Sequence, residues 1–273
     1  NMAKTLAELR EMHKKMMADE NPSSQASKSS EWATFEDGDN IVRFLPGKED
    51  PLQFFSEGSV HKYQDDQGMW RNYKCRKTSG EKCPVCDYYF DLWKRHKELN
   101  LGKDSDGKNV KSKYGDLAVK IKAKPRFYAI GVIRNLQEAG ENPVRYIAMS
   151  QQLFSPVFAS MLNEDFQDEA DPDNSTIISL ENGNDFNIRL TKNGNYVNFN
   201  ESSAKYKKTR AGTPAEVAEW MENKLNLQPL VEVDSYEKGK EIIMNLESAL
   251  NPVKTDSTPP FEPDGPSIEE LQV

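Results

Sequence analysis

Residues 185–199 read DFNIRLTKNGNYVNF, two runs with alternating apolar and polar positions joined at Asn193-Gly194, residue types that accept the positive φ of a tight turn. This is a β-hairpin signature, and comparable runs surround it. NIVRFL (40–45), LAVKI (117–121), FYAIGVI (127–133), VRYIAM (144–149) and TIISL (176–180) each have strand length and β-branched or aromatic content. Short strands at this spacing, with a helix inserted among them, predict a fold that is mainly β with α, built on a small, partly closed barrel. The inserted helix is expected over 150–163, starting at Ser150 and burying Leu153, Phe154, Val157, Phe158 and Met161.

Further helices are marked by their caps. Thr213-Pro214-Ala215-Glu216 combines a capping box with proline at the first helical position, ahead of Val217, Trp220, Met221 and Leu225. Residues 235–250 place Ile242, Ile243, Leu246 and Leu250 on one face before Asn251-Pro252. At the other end, Thr5-x-x-Glu8 caps a helix carrying Leu6, Leu9, Met12 and Met16. The organisation expected is an arm helix over 1–18, a polar linker over 19–31, a core over 32–212 with a metal-binding subdomain near 60–100, a helical region over 213–250 and an acidic tail over 251–273.

The 273 residues carry a net charge of −8, unevenly spread. Residues 60–135 hold 18 basic against 9 acidic side chains, whereas 216–273 hold 4 against 13. A basic island in an acidic chain attracts polyanions to one place and repels them elsewhere. No apolar run approaches the roughly 18 residues of a bilayer span, and no signal peptide opens the chain, so a cytoplasmic protein is expected.

The strongest local motif is His61-x13-Cys75-x7-Cys83-Pro-Val-Cys86, which uses every cysteine in the chain. Three cysteines within twelve residues are no disulfide framework, but a C-x-x-C pair with a preceding Cys and His makes a Cys3His zinc site. Four protein ligands leave no open position, so such a zinc is structural. His96, on a helix after the knuckle, is the alternative fourth ligand. Around this motif aromatics interleave with the cations: Tyr63, Trp70 next to Arg71, Tyr73, Tyr88, Tyr89, Trp93, Tyr114, Phe127 and Tyr128. The densest stretch is Lys120-x-Lys122-x-Lys124-Pro-Arg126-Phe127-Tyr128, whose lysines, on a strand, project from one face. Cations for phosphates and flat rings for unpaired bases are what a protein needs to hold a single strand without reading its sequence.

Enzyme signatures are missing. There is no P-loop, H-E-x-x-H, G-x-S-x-G or G-x-G-x-x-G. Asp165, Asp168, Glu169, Asp171 and Asp173 cluster as a nuclease site would, but without intervening apolar residues they read as a solvated loop. The competing readings are thus a metal-dependent nuclease and a zinc-stabilised replication adaptor with weak DNA binding.

The capped N-terminal helix, the V-R-F-L-P stretch (Val42 to Pro46), the His61/Cys75/Cys83/Cys86 set and the K-x-K-x-R-x-Y-A stretch together resemble the single-stranded DNA-binding, helix-destabilising proteins of T-even-type bacteriophages, over roughly residues 3–210. That resemblance implies an OB-fold, one structural zinc, a cleft between barrel and zinc subdomain, and cooperative coating of single strands during replication, recombination and repair in an infected bacterial cell. It also implies contacts with replication and recombination proteins through the acidic C-terminal region. By motif position, the phosphate and stacking candidates are Lys122, Lys124, Arg126, Phe127, Tyr128, Tyr146, Tyr196 and Phe199, with Trp70 and Tyr73 on the zinc hairpin. Self-association falls to Lys4, Thr5, Leu6 and Leu9, a shorter basic cluster than the family's arm carries.

Overall fold

The computed structural model describes residues 31–171, 173–194 and 196–251. The expected arm helix, with Lys4, Thr5, Leu6 and Leu9, and the tail from residue 252 lie outside the described residues. The described residues divide into two compact units, one of residues 31–60 and 124–233 and one of 61–123 and 234–251.

The first unit is built on antiparallel strands. Strand β1 (Gly38–Phe44) pairs on one side with β6 (Gly183–Asn193) and on the other with the last residues of β4 (Lys124–Ile133). The earlier part of β4 pairs with Phe55–Val60 of β2 (Phe55–Gln64), and β5 (Val144–Ser150) follows it along its opposite edge. A strand that changes partners along its length makes a strongly bent sheet, the barrel-like architecture that the strand pattern implies. The outer edge of β6 is taken by β7 (Tyr196–Asn198) and β8 (Ser203–Thr209). Alternate residues of these strands supply the core: Val42 and Phe44, Phe127 and Ala129, Ile147 and Met149, Phe186 and Ile188.

Helix α4 (Gln151–Leu162) follows α3 (Arg134–Glu138) and closes this core with Leu153, Phe154, Val157 and Met161. Ser150 caps it, accepting from the Leu153 N–H. Phe158, expected inside, is 41% exposed because it lies on the outer flank of the helix. Helix α5 (Pro214–Glu222) has the full capping box, with Thr213 and Glu216 bonding each other's backbone N–H, and buries Trp220. A short α6 (Gln228–Val231) follows.

One buried charge ties the strands together. Arg43, fully buried on β1, reaches Asp185 of β6 at 2.9 Å and donates to the carbonyls of Ser179, Gly183 and Thr209 and to Thr209 Oγ1. Arg134 holds the same carboxylate at 2.7 Å. Burial lowers the Arg43 pKa to about 10, and Asp185 opposes that loss.

The second unit holds the remainder of β2, β3 (Trp70–Lys74), a single 3-10 turn (Arg76–Ser79), α1 (Pro84–Glu98), α2 (Lys113–Ile121) and α7 (Tyr236–Leu250). Its core joins Tyr73, Val85, Tyr88, Leu92, Ala118 and Ile121 to Ile242 and Leu246 of α7. Gly239 permits that seating, since a Cβ there would come within 2.5 Å of Pro84 and 2.8 Å of the Tyr73 hydroxyl.

Two strand expectations and one detail of a turn are corrected. LAVKI (117–121) is the end of helix α2, because the Ser112 side chain caps Gly115 N–H and Gly115, Ala118 and Ile121 fall on one buried face at helical spacing. TIISL (176–180) contains a 3-10 turn over Thr176–Ile178, with Ser175 and Thr176 hydroxyls both donating to the Phe166 carbonyl. In the β6–β7 hairpin the positive φ, +59°, belongs to Gly194, and Asn193 stays in the ladder opposite Tyr196.

Candidate metal centre and nucleic-acid interface

The four residues of the sequence motif converge in the second unit. His61 comes from β2, Cys75 follows β3, Cys83 caps α1 and Cys86 lies in its first turn, and all four side chains are buried. Proline at the first position of α1 suits a helix start whose N–H has no partner. The four ligand atoms lie within 4.8 Å of one another. His61 Nε2 is 3.4 Å from Cys83 Sγ and 3.5 Å from Cys86 Sγ, and Cys75 and Cys86 Sγ are 3.5 Å apart. A tetrahedral ion with metal–sulfur bonds of about 2.3 Å and a metal–nitrogen bond of about 2.0–2.1 Å needs edges of roughly 3.6–3.8 Å, so one metal ion fits with small adjustment.

Without an ion, charge in the cluster is shared between the imidazole and the thiols. Burial disfavours a charged His61, but hydrogen bonds to Cys75 and Cys83 outweigh it and raise its pKa to about 9. Hydrogen bonds with Cys75 and Cys86 hold the Cys83 thiol far below its ordinary pKa, whereas contact with Cys75 and Cys83 pushes Cys86 far above it. Packed thiols cannot all ionise without a cation among them, and a bound metal supplies it. The other ring nitrogen is already committed: Nδ1–H donates to the Ile121 carbonyl at 2.7 Å, which orients the ring so that Nε2 faces the thiols, where a bound metal would displace its proton. His96, the alternative ligand, is instead bonded through Nδ1 to Ser112 Oγ at 3.0 Å and stays outside the cluster.

The other constellation lies on the sheet of the first unit. Lys124, Arg126 and Tyr128 occupy alternate positions of β4 and share a face. Their cross-strand neighbours on that face are small: Gly58 and Ser150 beside Arg126, Ser56 and Ala148 beside Tyr128. Flat rings stand next to this shallow floor. Trp32 lies 6.2 Å from the Tyr128 ring and 5.2 Å from Tyr146, and its segment bridges to Tyr146 of β5. Tyr146 is steadied by donating its hydroxyl to the Asn226 carbonyl. Burial raises the Tyr128 pKa, so its hydroxyl stays neutral and its ring carries no charge toward a phosphate chain.

A comparison with protein families matches residues 36–259 to the family described as gp32 DNA binding protein like. The chain belongs to this family. No curated protein matches it. Membership of the gp32-like family makes this a DNA-binding chain of the single-strand type and not an enzyme, which removes the nuclease reading.

Within this gp32-like domain the candidates from the sequence divide by burial. Tyr73 and Phe127 are corrected to core residues. Tyr73 has no exposed surface and donates its hydroxyl to the Ser235 carbonyl, and Phe127 stacks on Phe154 at 3.9 Å because it points to the opposite face of β4 from Tyr128. The lysine row is corrected too: Lys120 ends α2, Lys122 caps it and only Lys124 is on β4, so the three do not share a strand face. All three remain exposed. In the second unit Trp70 is 57% exposed, Arg71 pairs with Asp65 at 2.8 Å, and the Tyr114 ring lies under Lys113 and Arg95. On the β6–β7 hairpin of the first unit Tyr196 is 81% exposed and Phe199 half-buried against the core. Trp32 was not among the sequence candidates; the available signal was a tryptophan at the junction of a polar stretch and the first strand. The acidic residues 165, 168, 169, 171 and 173 lie at the surface, as a solvated loop.

Proposed function

We propose that the chain coats single-stranded DNA during phage replication, recombination and repair, gripping phosphates with lysine and arginine and stacking bases on aromatic rings, without reading sequence. The observation that carries this is the face of β4 and β5, where Lys124 and Arg126 stand in line with Tyr128, Tyr146 and Trp32 over a floor of glycine, alanine and serine. Duplex DNA offers no unpaired base to such rings, whereas a single strand offers one at each step. The exposed Trp70, Tyr196, Lys120 and Lys122, with Arg71, Tyr114 and Phe199, extend the set of contacts in this reading.

The metal is zinc. Three soft thiolates and one imidazole at tetrahedral spacing suit Zn2+ and leave no open position, so the ion holds the fold of its unit and takes no part in chemistry. Partners are further copies along the strand, through Lys4, Thr5, Leu6 and Leu9, and replication and recombination proteins, through the acidic C-terminal region. The working location is the cytoplasm of an infected bacterium, and no described helix is long and apolar enough to cross a membrane.

Titration with oligo-dT tests the reading. Stacking should quench the tyrosine and tryptophan emission strongly, and affinity should fall with salt with a slope of about −0.7 per phosphate neutralised. Tyr128→Ala should cost about 1–3 kcal/mol of binding with little change in that slope. Binding to duplex equal to that of oligo-dT, without quenching, would refute it.

A further inference from the structure

Resting on the single-strand reading, we infer that the outer edge of β6 carries a second strand-binding track, ending in a Lys205-Tyr206-Lys207-Lys208 contact that a bulge in β8 displays. The ladder between β6 and β8 pairs Phe186 with Ala204 and Asn184 with Lys208, so a step of two residues on β6 faces a step of four on β8. The excess residues, Lys205 to Lys207, are pushed out opposite Asp185. Such bulges re-aim side chains and are built features of a sheet.

This one is held from the inside. Asn184, 1% exposed, donates its side-chain amide to the carbonyls of both Lys205 (2.7 Å) and Tyr206 (3.1 Å), which satisfies the backbone groups the bulge takes out of the ladder. Ala204 and Thr209, on either side, turn inward: Ala204 packs on the core, and Thr209 bonds Arg43. The side chains between them face solvent, with Tyr206 77% exposed. Its ring rests 5.5 Å from Phe166 at 32°, so it is partly oriented while most of its surface stays open.

Edge lysines alone would be explained by protection against strand pairing. A large exposed ring adds the apolar surface that such protection avoids. Nor are the cations spent within the protein: no described carboxylate lies within 4 Å of the ammonium of Lys205, Lys207 or Lys208, and the nearby Asp39 is already held by Asn187 and Arg189. Arg210, next along the chain, reaches Glu181 only at 3.8 Å. Cations around an open ring are the elements of a single-strand contact.

The contact is also continuous with another. Strands β7 and β8 lie on the same side of β6, Tyr196 opposite Asn193 and the bulge opposite Asp185. At about 3.3 Å per residue this edge runs some 26 Å, with an exposed tyrosine at each end.

The test uses the full chain, oligo-dT and three variants: Lys205→Glu with Lys207→Glu, Tyr206→Ala, and Lys48→Glu as a single charge-reversal control at an exposed loop lysine. Circular dichroism melting identifies any variant that fails to fold, and Lys205→Gln with Lys207→Gln then replaces the double reversal. The double reversal should weaken binding at low salt at least tenfold relative to the control and make the salt slope shallower by about 1.4, two phosphates at about 0.7 each. Tyr206→Ala should weaken binding roughly 5- to 100-fold with the slope kept. Wild-type binding with a steep salt slope, and variants indistinguishable from Lys48→Glu, would overturn the β8 track alone. Absence of binding by the wild type would instead overturn the single-strand reading beneath it.

Discussion

The two units solve the same problem of staying folded by different means. The first closes an apolar core from alternate strand positions and α4, with aromatic contacts among Phe44, Phe54 and Phe186 and a buried arginine hub. The second has a smaller core in which the cysteines themselves are members, beside Tyr73, Leu92, Ile121 and Leu246. Removing thiolates from a core of that kind leaves little behind. Small units lack the buried area to hold themselves, so the second unit is expected to draw more of its stability from a metal at its His/Cys cluster than the first draws from any such centre.

The largest effect expected from this contrast follows metal removal. Structural zinc in small domains contributes apparent folding free energies on the order of 10 kcal/mol, so chelation or Cys86→Ser should expose the amides of 61–123 and 234–251 to exchange while the first unit keeps its protection. Hydrogen exchange read by mass spectrometry, with elemental analysis for one zinc per chain, checks this. Joint loss of protection in both units would break the comparison. Next in size is Phe186→Ala, which removes a fully buried ring from the first core and should cost about 3–5 kcal/mol. With cobalt in place of zinc, the thiolate absorption should outlast the first unit's melting in that variant, and simultaneous loss of both signals would count against independent stabilisation. The smallest is Thr213→Ala, which takes one half of the α5 capping box and should cost about 1 kcal/mol. Hydrogen bonds from the Thr213 N–H and hydroxyl hold Glu216 below its ordinary pKa of 4.5. The part that runs through the Thr213 hydroxyl and the Glu216 carboxylate is therefore present above that value and fades as pH falls, so the gap between the melts of wild type and variant should narrow in acid without closing, because the Glu216 N–H bond to Thr213 Oγ1 does not titrate.

How far the sequence discloses this structure depends on the range of the interactions involved. The buried His/Cys cluster was legible because a candidate metal site needs particular side chains at short spacing, and the caps at Ser150 and Thr213 because they act within one turn. LAVKI was misread because five apolar and basic residues fit either period, and the deciding cap, Ser112, lies outside them. Tyr73 and Phe127 show that an aromatic in a basic stretch says nothing by itself about which side of a strand it occupies. The Trp32 bridge to Tyr146 joins residues more than a hundred positions apart, and the β8 bulge depends on an asparagine on another strand. Neither leaves a local pattern. Strand β8 went unseen for a related reason: SAKYKKT on an outer edge has no buried face to impose alternation.

The Arg43 hub bears on how such a chain can change over generations. Its guanidinium serves Asp185, the carbonyls of Ser179 and Gly183, and the carbonyl and hydroxyl of Thr209, so no replacement of Arg43 alone keeps the set intact. Lysine keeps the charge but cannot span those partners with one nitrogen. A change at 43 or 185 leaves buried polar partners unsatisfied and calls for a compensating change beside it, whereas an exposed ring or lysine has no such network around it. The network inside the first unit is therefore expected to accept change in concert, and exposed positions singly.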